Sequence, residues 1–276
     1  MNKFIFNFTP NGMIPTKEIT EFVPITPNEI IDNVLEANDM GVNMVHLHAR
    51  DSITGLPSYK KEIYAEIISG IRSYAKDLVI CISTSGRNWP EFEKRSEALE
   101  LDGIYKPDFA SLTLSSLNFS NQASLNSPEM IKKLSAKMQK NGIKPELEVF
   151  DLGMINYAKY LIHKEFIKPP FYFNIILGNV SGAQADLLNL GFMVNELPPK
   201  SIWSAGGIGN TQLKANMLSL LSGGGVRVGL EDNIWYDNHR SRLASNMDLL
   251  RRIIEFTKVI GREPFTPAET RKLLGL

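Results

Sequence analysis

Short apolar runs alternate with longer stretches in which apolar residues recur every three or four positions. This pattern predicts parallel βα units. The first run is Phe4 to Phe8. The second ends in Val45-His46-Leu47-His48, and the third spans Leu78 to Thr84. Phe109 to Leu114, Glu146 to Phe150, Phe171 to Leu177, Ser201 to Ala205 and Val226 to Gly229 complete a set of eight. The stretches between them carry helix-start signals. At Thr26-Pro27-Asn28-Glu29, Thr26 caps, Pro27 takes the first helical position and Glu29 completes a capping box. Ser127-Pro128-Glu129 opens another helix that Gly142 closes, and further helices are expected over about Tyr59 to Lys76 and Glu91 to Leu101. With no linker or low-complexity stretch, the expected architecture is α/β: one (β/α)8 TIM barrel over residues 1–276, with a C-terminal helical extension.

In such a barrel the active site lies at the C-terminal ends of the strands, so polar residues there are candidates. His46 and His48 are the most informative of them. Strand side chains alternate faces, so the two imidazoles point the same way, roughly 6.6 Å apart along the chain. From that spacing both can reach one ion at about 2.0 to 2.1 Å. Core histidines with satisfied hydrogen bonds are the alternative, but Glu231-Asp232 after the eighth run offers a third ligand and a free base. Ser83, Thr84, Ser111 and Thr113 end the third and fourth runs. Glu148 points into the barrel with the parity of Glu146, where a lone carboxylate is costly, and Arg227 on the eighth strand is the expected partner. Gly223 to Gly225 precede the last strand and read as a turn. Gly206, Gly207 and Gly209 follow the seventh run, where barrels bind phosphate through backbone N–H groups, and predict a site for a phosphate-bearing cosubstrate.

Composition narrows the class. The 276 residues are 43% apolar and 22% charged, enough for a large core. Lys plus Arg and Asp plus Glu both number 30, for a formal charge of +0, which gives no general attraction to nucleic acid or anionic membrane. The lone Cys81 excludes an internal disulfide framework. No apolar run approaches the roughly 20 residues of a membrane span, and the polar start carries no signal peptide, so a cytoplasmic protein is expected.

Taken in order, Pro24-Ile25-Thr26-Pro27, His46-Leu47-His48-Ala49-Arg50-Asp51, Lys106-Pro107, Ser115 to Phe119, Pro145 to Asp151, Leu177-Gly178, Trp203 to Gly209, Gly224 to Asn233 and Thr266 to Arg271 resemble the β-keto acid cleavage enzymes nearly end to end. The resemblance implies a zinc-bearing barrel, usually a homotetramer, that converts a β-keto acid and acetyl-CoA into acetoacetate and a new acyl-CoA. It implies one Zn²⁺ per chain on His46, His48 and Glu231, with Asp232 as general base. Arg227, Glu148 and Ser83 would steady the base and the developing charge, while Thr84, Ser111 and Thr113 line the substrate site. Two departures stand out. Ser85-Gly86-Arg87 replaces the usual glycine pair at the rim. Ile14 stands where an amine-handling member of the family has a glutamate, which implies a neutral, aliphatic substrate tail. Another metal-dependent lyase or aldolase barrel and a non-catalytic acyl-CoA-binding barrel are the rival readings. An amidohydrolase fits poorly, because the chain has only 4 histidines and its His-x-His is on the second strand.

Overall fold

The computed structural model describes residues 2–276. Eight parallel strands close into a barrel: β1 (Phe6–Phe8), β2 (Met44–Leu47), β3 (Val79–Ile82), β4 (Phe109–Thr113), β5 (Lys144–Val149), β6 (Phe171–Leu177), β7 (Ser201–Gly207) and β8 (Gly225–Val228). Each pairs with its neighbours in chain order, and β8 returns to β1 through Val226 to Phe6, Arg227 to Asn7 and Val228 to Phe8. The outer ring is α1 (Pro27–Asp39), α2 (Lys61–Tyr74), the single turn α3 (Phe92–Arg95), α4 (Pro128–Lys140), α5 (Leu152–His163), α6 (Leu187–Asn195), α7 (Gln212–Leu221) and α8 (Asn246–Ile260). A last helix, α9 (Pro267–Leu274), follows. The (β/α)8 barrel expected from the apolar pattern is the observed fold. No helix among the described residues is long and apolar enough to cross a membrane.

Local chemistry explains the boundaries. Thr26 and Glu29 make the expected capping box, and Ser127 caps α4 through the Met130 N–H. Two expectations shift. The first apolar run is divided: Lys3–Phe4 pairs with Glu263–Pro264 in a separate two-stranded sheet, and only Phe6–Phe8 enters the barrel. The helix expected over Glu91 to Leu101 is one α turn followed by a 3₁₀ turn at Glu97–Glu100. Arg95 is the reason, since it is buried and donates to the carbonyls of Thr84 and Leu125 and to Asn126 Oδ1. A hairpin of Leu117–Asn118 with Ala123–Ser124 stands above β4, where no such element is expected from the apolar pattern.

The strand pleat sorts the interior. Val45 and Leu47 of β2 pack outwards with the helices, whereas Met44 joins an inner cluster with Ile5, Val79, Cys81, Phe109 and Tyr172. That cluster closes the N-terminal end of the barrel, and Leu274 of α9 is its final member, with no exposed surface. Thr266 caps α9, and Arg271 ties it to Asp108 at 2.9 Å, a carboxylate that Arg72 of α2 holds at 2.6 Å. One layer up, the inward residues Asn7, His46, Ser111, Glu146, Asn174, Ser204 and Arg227 are polar and buried. The barrel axis therefore runs from an apolar plug to a charged floor.

If α9 is a plug, Leu274→Ala leaves a cavity that the rigid barrel walls cannot collapse around. Its expected cost is about 2 to 5 kcal/mol of unfolding free energy, read from urea denaturation. An unchanged midpoint would mean that the inner cluster does not depend on Leu274.

Candidate active site

His46 and His48 project from the end of β2 into the barrel mouth, as their spacing requires. Their Nε2 atoms lie 3.2 Å apart, and His48 Nε2 is 3.1 Å from Glu231 Oε1. His46 Nδ1 is 2.5 Å from Glu146 Oε2. With Nδ1–H committed to that carboxylate, a neutral His46 turns the Nε2 lone pair towards His48. Glu146 is itself held, since its Oε1 accepts from Asn7 at 2.8 Å and Asn174 at 3.2 Å. Asn11 fixes His48 by donating to its carbonyl at 2.9 Å. Gly12, with φ of 61°, leaves room for Glu231, because a Cβ there would lie 2.5 Å from Glu231 Cγ.

Arg227 organises the acidic side. Its Nε donates to Asp232 Oδ2 at 2.7 Å, and its Nη2 reaches Glu231 Oε1 at 2.8 Å. The pairing expected with Glu148 is a loose one, 3.8 Å from Nη1, because Glu148 takes a hydrogen bond from Thr113 at 2.6 Å. Burial weakens a lone guanidinium's charge, but Asp232, Glu231 and Glu148 hold Arg227 well above its ordinary pKa. Burial also raises Asp232, against the pull of Arg227, and Glu231 beside it adds to the rise. For Glu231 burial acts in the same direction, yet Arg227, His48 and His46 keep it well below the usual carboxylate range.

The donor set of His46, His48 and Glu231 fits a divalent metal ion. Their candidate ligand atoms lie within 4.8 Å of one another, and Glu231 Oε2 is buried without a hydrogen-bond partner. Two imidazole Nε2 atoms at 3.2 Å match adjacent corners of a tetrahedron with metal bonds of about 2.0 to 2.1 Å. His46, Cys81 and Glu146 form a second compact group. It fits a metal less well, because burial and Glu146 push the Cys81 thiol well above its ordinary pKa and His46 Nδ1 is already bonded.

A cavity of about 600 Å³ opens above this floor, and Ser83, Thr113, Glu148, Arg227, Glu231, Asp232 and Gly209 all line it. Other expected residues lie elsewhere. Thr84 and Ser111 are buried against each other, with Thr84 Oγ1 donating to the Ser111 carbonyl at 2.6 Å, so neither lines this cavity. Gly206 and Gly207 are the last residues of β7, laddered to Ile176 and Leu177. A Cβ on Gly206 would lie 2.9 Å from the Arg227 carbonyl, so the smallness of this glycine serves strand packing. The N–H of Gly209 donates to the Asp232 carbonyl at 2.7 Å and is not free for a phosphate. Ile14 reaches the cavity mouth but is 54% exposed, so a charged tail beside it would keep much of its water. Two participants were not legible as such: Glu146, visible only through its parity with Glu148, and Asn7, on β1 beside Arg227.

The sequence pattern of the family described as beta-keto acid cleavage enzyme matches residues 3–276. The 3-keto-5-aminohexanoate cleavage enzyme of Acetoanaerobium sticklandii is 34% identical over 277 residues, covering 100% of this chain and 99% of that protein. The 3-oxoadipate:acetyl-CoA acetyltransferase of Cupriavidus necator is 34% identical over 275 residues, covering 99% and 94%. Among solved structures, the binary complex of ObcA with oxaloacetate superposes with a TM-score of 0.78 at 20% identity, covering 92% of this chain and 67% of that one. At that identity the superposition speaks for the fold alone. The end-to-end sequence matches carry the rest: the chain belongs to the beta-keto acid cleavage enzyme family and is an enzyme of that kind.

Proposed function

We propose that the chain catalyses zinc-dependent transfer between a β-keto acid and acetyl-CoA, giving acetoacetate and a new acyl-CoA. The observation that carries this reading is the meeting of His46, His48 and Glu231 beside an Asp232 that stays outside the ligand set. Relatives whose names specify acetyl-CoA as co-reactant support the cosubstrate. Zinc held by His46, His48 and Glu231 would supply Lewis-acid charge that makes the proton between ketone and carboxylate easier to remove.

Asp232 takes that proton. Its basicity is increased by burial, while Arg227 fixes its direction through the bond to Oδ2. The resulting carbanion attacks the thioester carbon of acetyl-CoA, and a new carbon–carbon bond forms. CoA sulfur then passes from the acetyl carbon to the original ketone carbon. The bond between that carbon and the carboxylate-bearing carbon breaks, releasing the new acyl-CoA and an acetoacetate carbanion. Asp232 returns its proton to acetoacetate, so the base is restored and no oxidant is needed. Arg227 faces the oxygens on which charge develops, Glu148 stands beside it with its pKa raised by burial, and Ser83 offers a hydroxyl from the β3 side. Arg240, on the cavity wall, is a cation left for the cosubstrate. The homotetramer that the family resemblance implies would need an apolar contact face, and the exposed side chains Leu187, Leu188 and Phe192 of α6 offer one.

The direct test is a panel of β-keto acids with acetyl-CoA, scored for acetoacetate. Acetoacetate formed only when acetyl-CoA is present supports the reading, and turnover without acetyl-CoA would favour another lyase. The adjacent carboxylates should separate by role. Asp232→Asn keeps its metal, by elemental analysis, and loses about 10²- to 10⁴-fold in turnover. Glu231→Gln loses metal instead. Equal metal loss in both variants would remove Asp232 from the base role. Glu146→Gln, which loosens His46, should weaken metal affinity by about 10- to 100-fold, measured by chelator competition.

Protons and metal compete at His46. Burial lowers its pKa, but the Glu146 and Glu231 carboxylates more than offset this and bring it up to about 9. The metal-free protein therefore holds a proton there at neutral pH, and zinc must displace it. Affinity should rise by about tenfold per pH unit below pH 9 and level off above it. Calorimetry at pH 7.5 in buffers of different ionisation enthalpy should count about one proton released per zinc. Zero release would take His46 out of the ligand set.

A further inference from the structure

Arg87 is a guanidinium in the active cavity that the mechanism above does not use. It lines the same space as His46, His48 and Glu231. Its guanidinium carbon lies 3.6 Å over the centre of the Phe119 ring, and Phe119 stands edge-on to Phe150 at 5.7 Å between centroids. Stacking fixes the plane of the guanidinium and leaves its N–H edge free. Among the described residues no carboxylate lies within ion-pair distance of Arg87, and no side-chain or carbonyl oxygen accepts from its guanidinium. By contrast Arg227, in the same cavity, faces Asp232, Glu231 and Glu148. A half-buried guanidinium gives up hydration; Phe119 and the more distant carboxylates of the cavity offset part of that loss, but no direct counterion completes it.

The segment that presents Arg87 is built to stay in place. Gly86 packs so closely that a Cβ would strike the Leu125 carbonyl and lie 2.6 Å from Arg95 Nη1. Arg95 donates to the Thr84 carbonyl at 2.8 Å and the Leu125 carbonyl at 2.9 Å, binding the segment after β3 to the residue that follows the hairpin's second strand. Arg87 and its aromatic platform are thus held from one buried cation.

We propose that Arg87 is a specificity residue that receives a second carboxylate, at the far end of the substrate, so that the enzyme prefers a β-keto dicarboxylate. The inference rests on the cleavage reaction proposed above. A planar guanidinium with a free edge accepts a carboxylate in a two-point contact. The reacting carboxylate belongs at the metal ligands and Arg227, so the anion left for Arg87 is the tail. The phosphates of acetyl-CoA are the other possible anions. They lie a full pantetheine arm from the thioester, whereas Arg87 is close enough to Glu231, Glu148 and Asp232 for their charges to act on it. The neutral tail expected from Ile14 gives way to this reading, because Ile14 is at the mouth and more than half exposed.

The test compares 3-oxoadipate with 3-oxohexanoate, two six-carbon β-keto acids that differ in the far carboxylate, on wild type and Arg87→Met. Wild type should favour 3-oxoadipate, and Arg87→Met should reduce the ratio of kcat/KM values by about 10- to 100-fold, the worth of a charge-assisted pair. Arg87→Lys should recover part of the ratio. An unchanged ratio overturns the proposal, whether both substrates fall together, placing Arg87 on the common carboxylate, or only the KM for acetyl-CoA rises, placing it on phosphate. Calorimetric binding of each acid to the zinc-loaded protein separates this inference from the reaction. Arg87-dependent preference for 3-oxoadipate without acyl-CoA product would sustain the subsite and overturn the reaction. Turnover of both acids with no Arg87-dependent preference would do the reverse.

Discussion

The buried guanidinium of Arg227 is the charge around which the site is arranged. A cation with almost no exposure has to be matched by anions, and β8 delivers them from its own continuation, Glu231 and Asp232, within five residues. The same pairing separates two neighbouring carboxylates by environment. Glu231 sits between Arg227 and two imidazoles and stays ionised, while Asp232, bonded to Arg227 alone, retains more affinity for a proton. Adjacent positions in the chain thereby acquire different chemistry.

Around that cation the interior is layered. The inner apolar cluster at one end closes the barrel beneath the polar side chains, which are held by one another. Glu146 shows the arrangement most clearly, with His46 on one oxygen and Asn7 and Asn174 on the other. Each of these comes from a different strand, so the orientation of the His46 ring is set by the register of β1, β2, β5 and β6 together.

Much of this was legible in the chain itself, and for a physical reason. Strand alternation is strict, so His46 with His48 and Glu146 with Glu148 had to share the inner face. Thr26 and Ser127 announced their helices through caps that depend only on local sequence. What escaped was non-local. Nothing near Arg95 shows that its side chain would turn inwards and shorten a helix. The pairing of Thr84 with Ser111 depends on the stagger between β3 and β4, which moved both away from the cavity assigned to them. The glycines at the end of β7 read as a phosphate loop by type, but close strand packing accounts for Gly206 equally well. Ile14 was placed by analogy, and its exposure could not be read from an apolar letter.

The plug at the base of the barrel has a consequence for synthesis. A chain made from its N-terminus has all eight strands before residues 267–274 exist. Until then the apolar base of the barrel, with Ile5, Met44, Val79, Phe109 and Tyr172, lacks Leu274. A nascent barrel that lacks α9 therefore has an uncovered apolar base, the kind of transiently exposed surface on which incomplete chains associate. Arrival of α9 covers that base, so the helix that completes the interior is also the last of the covering elements to be made.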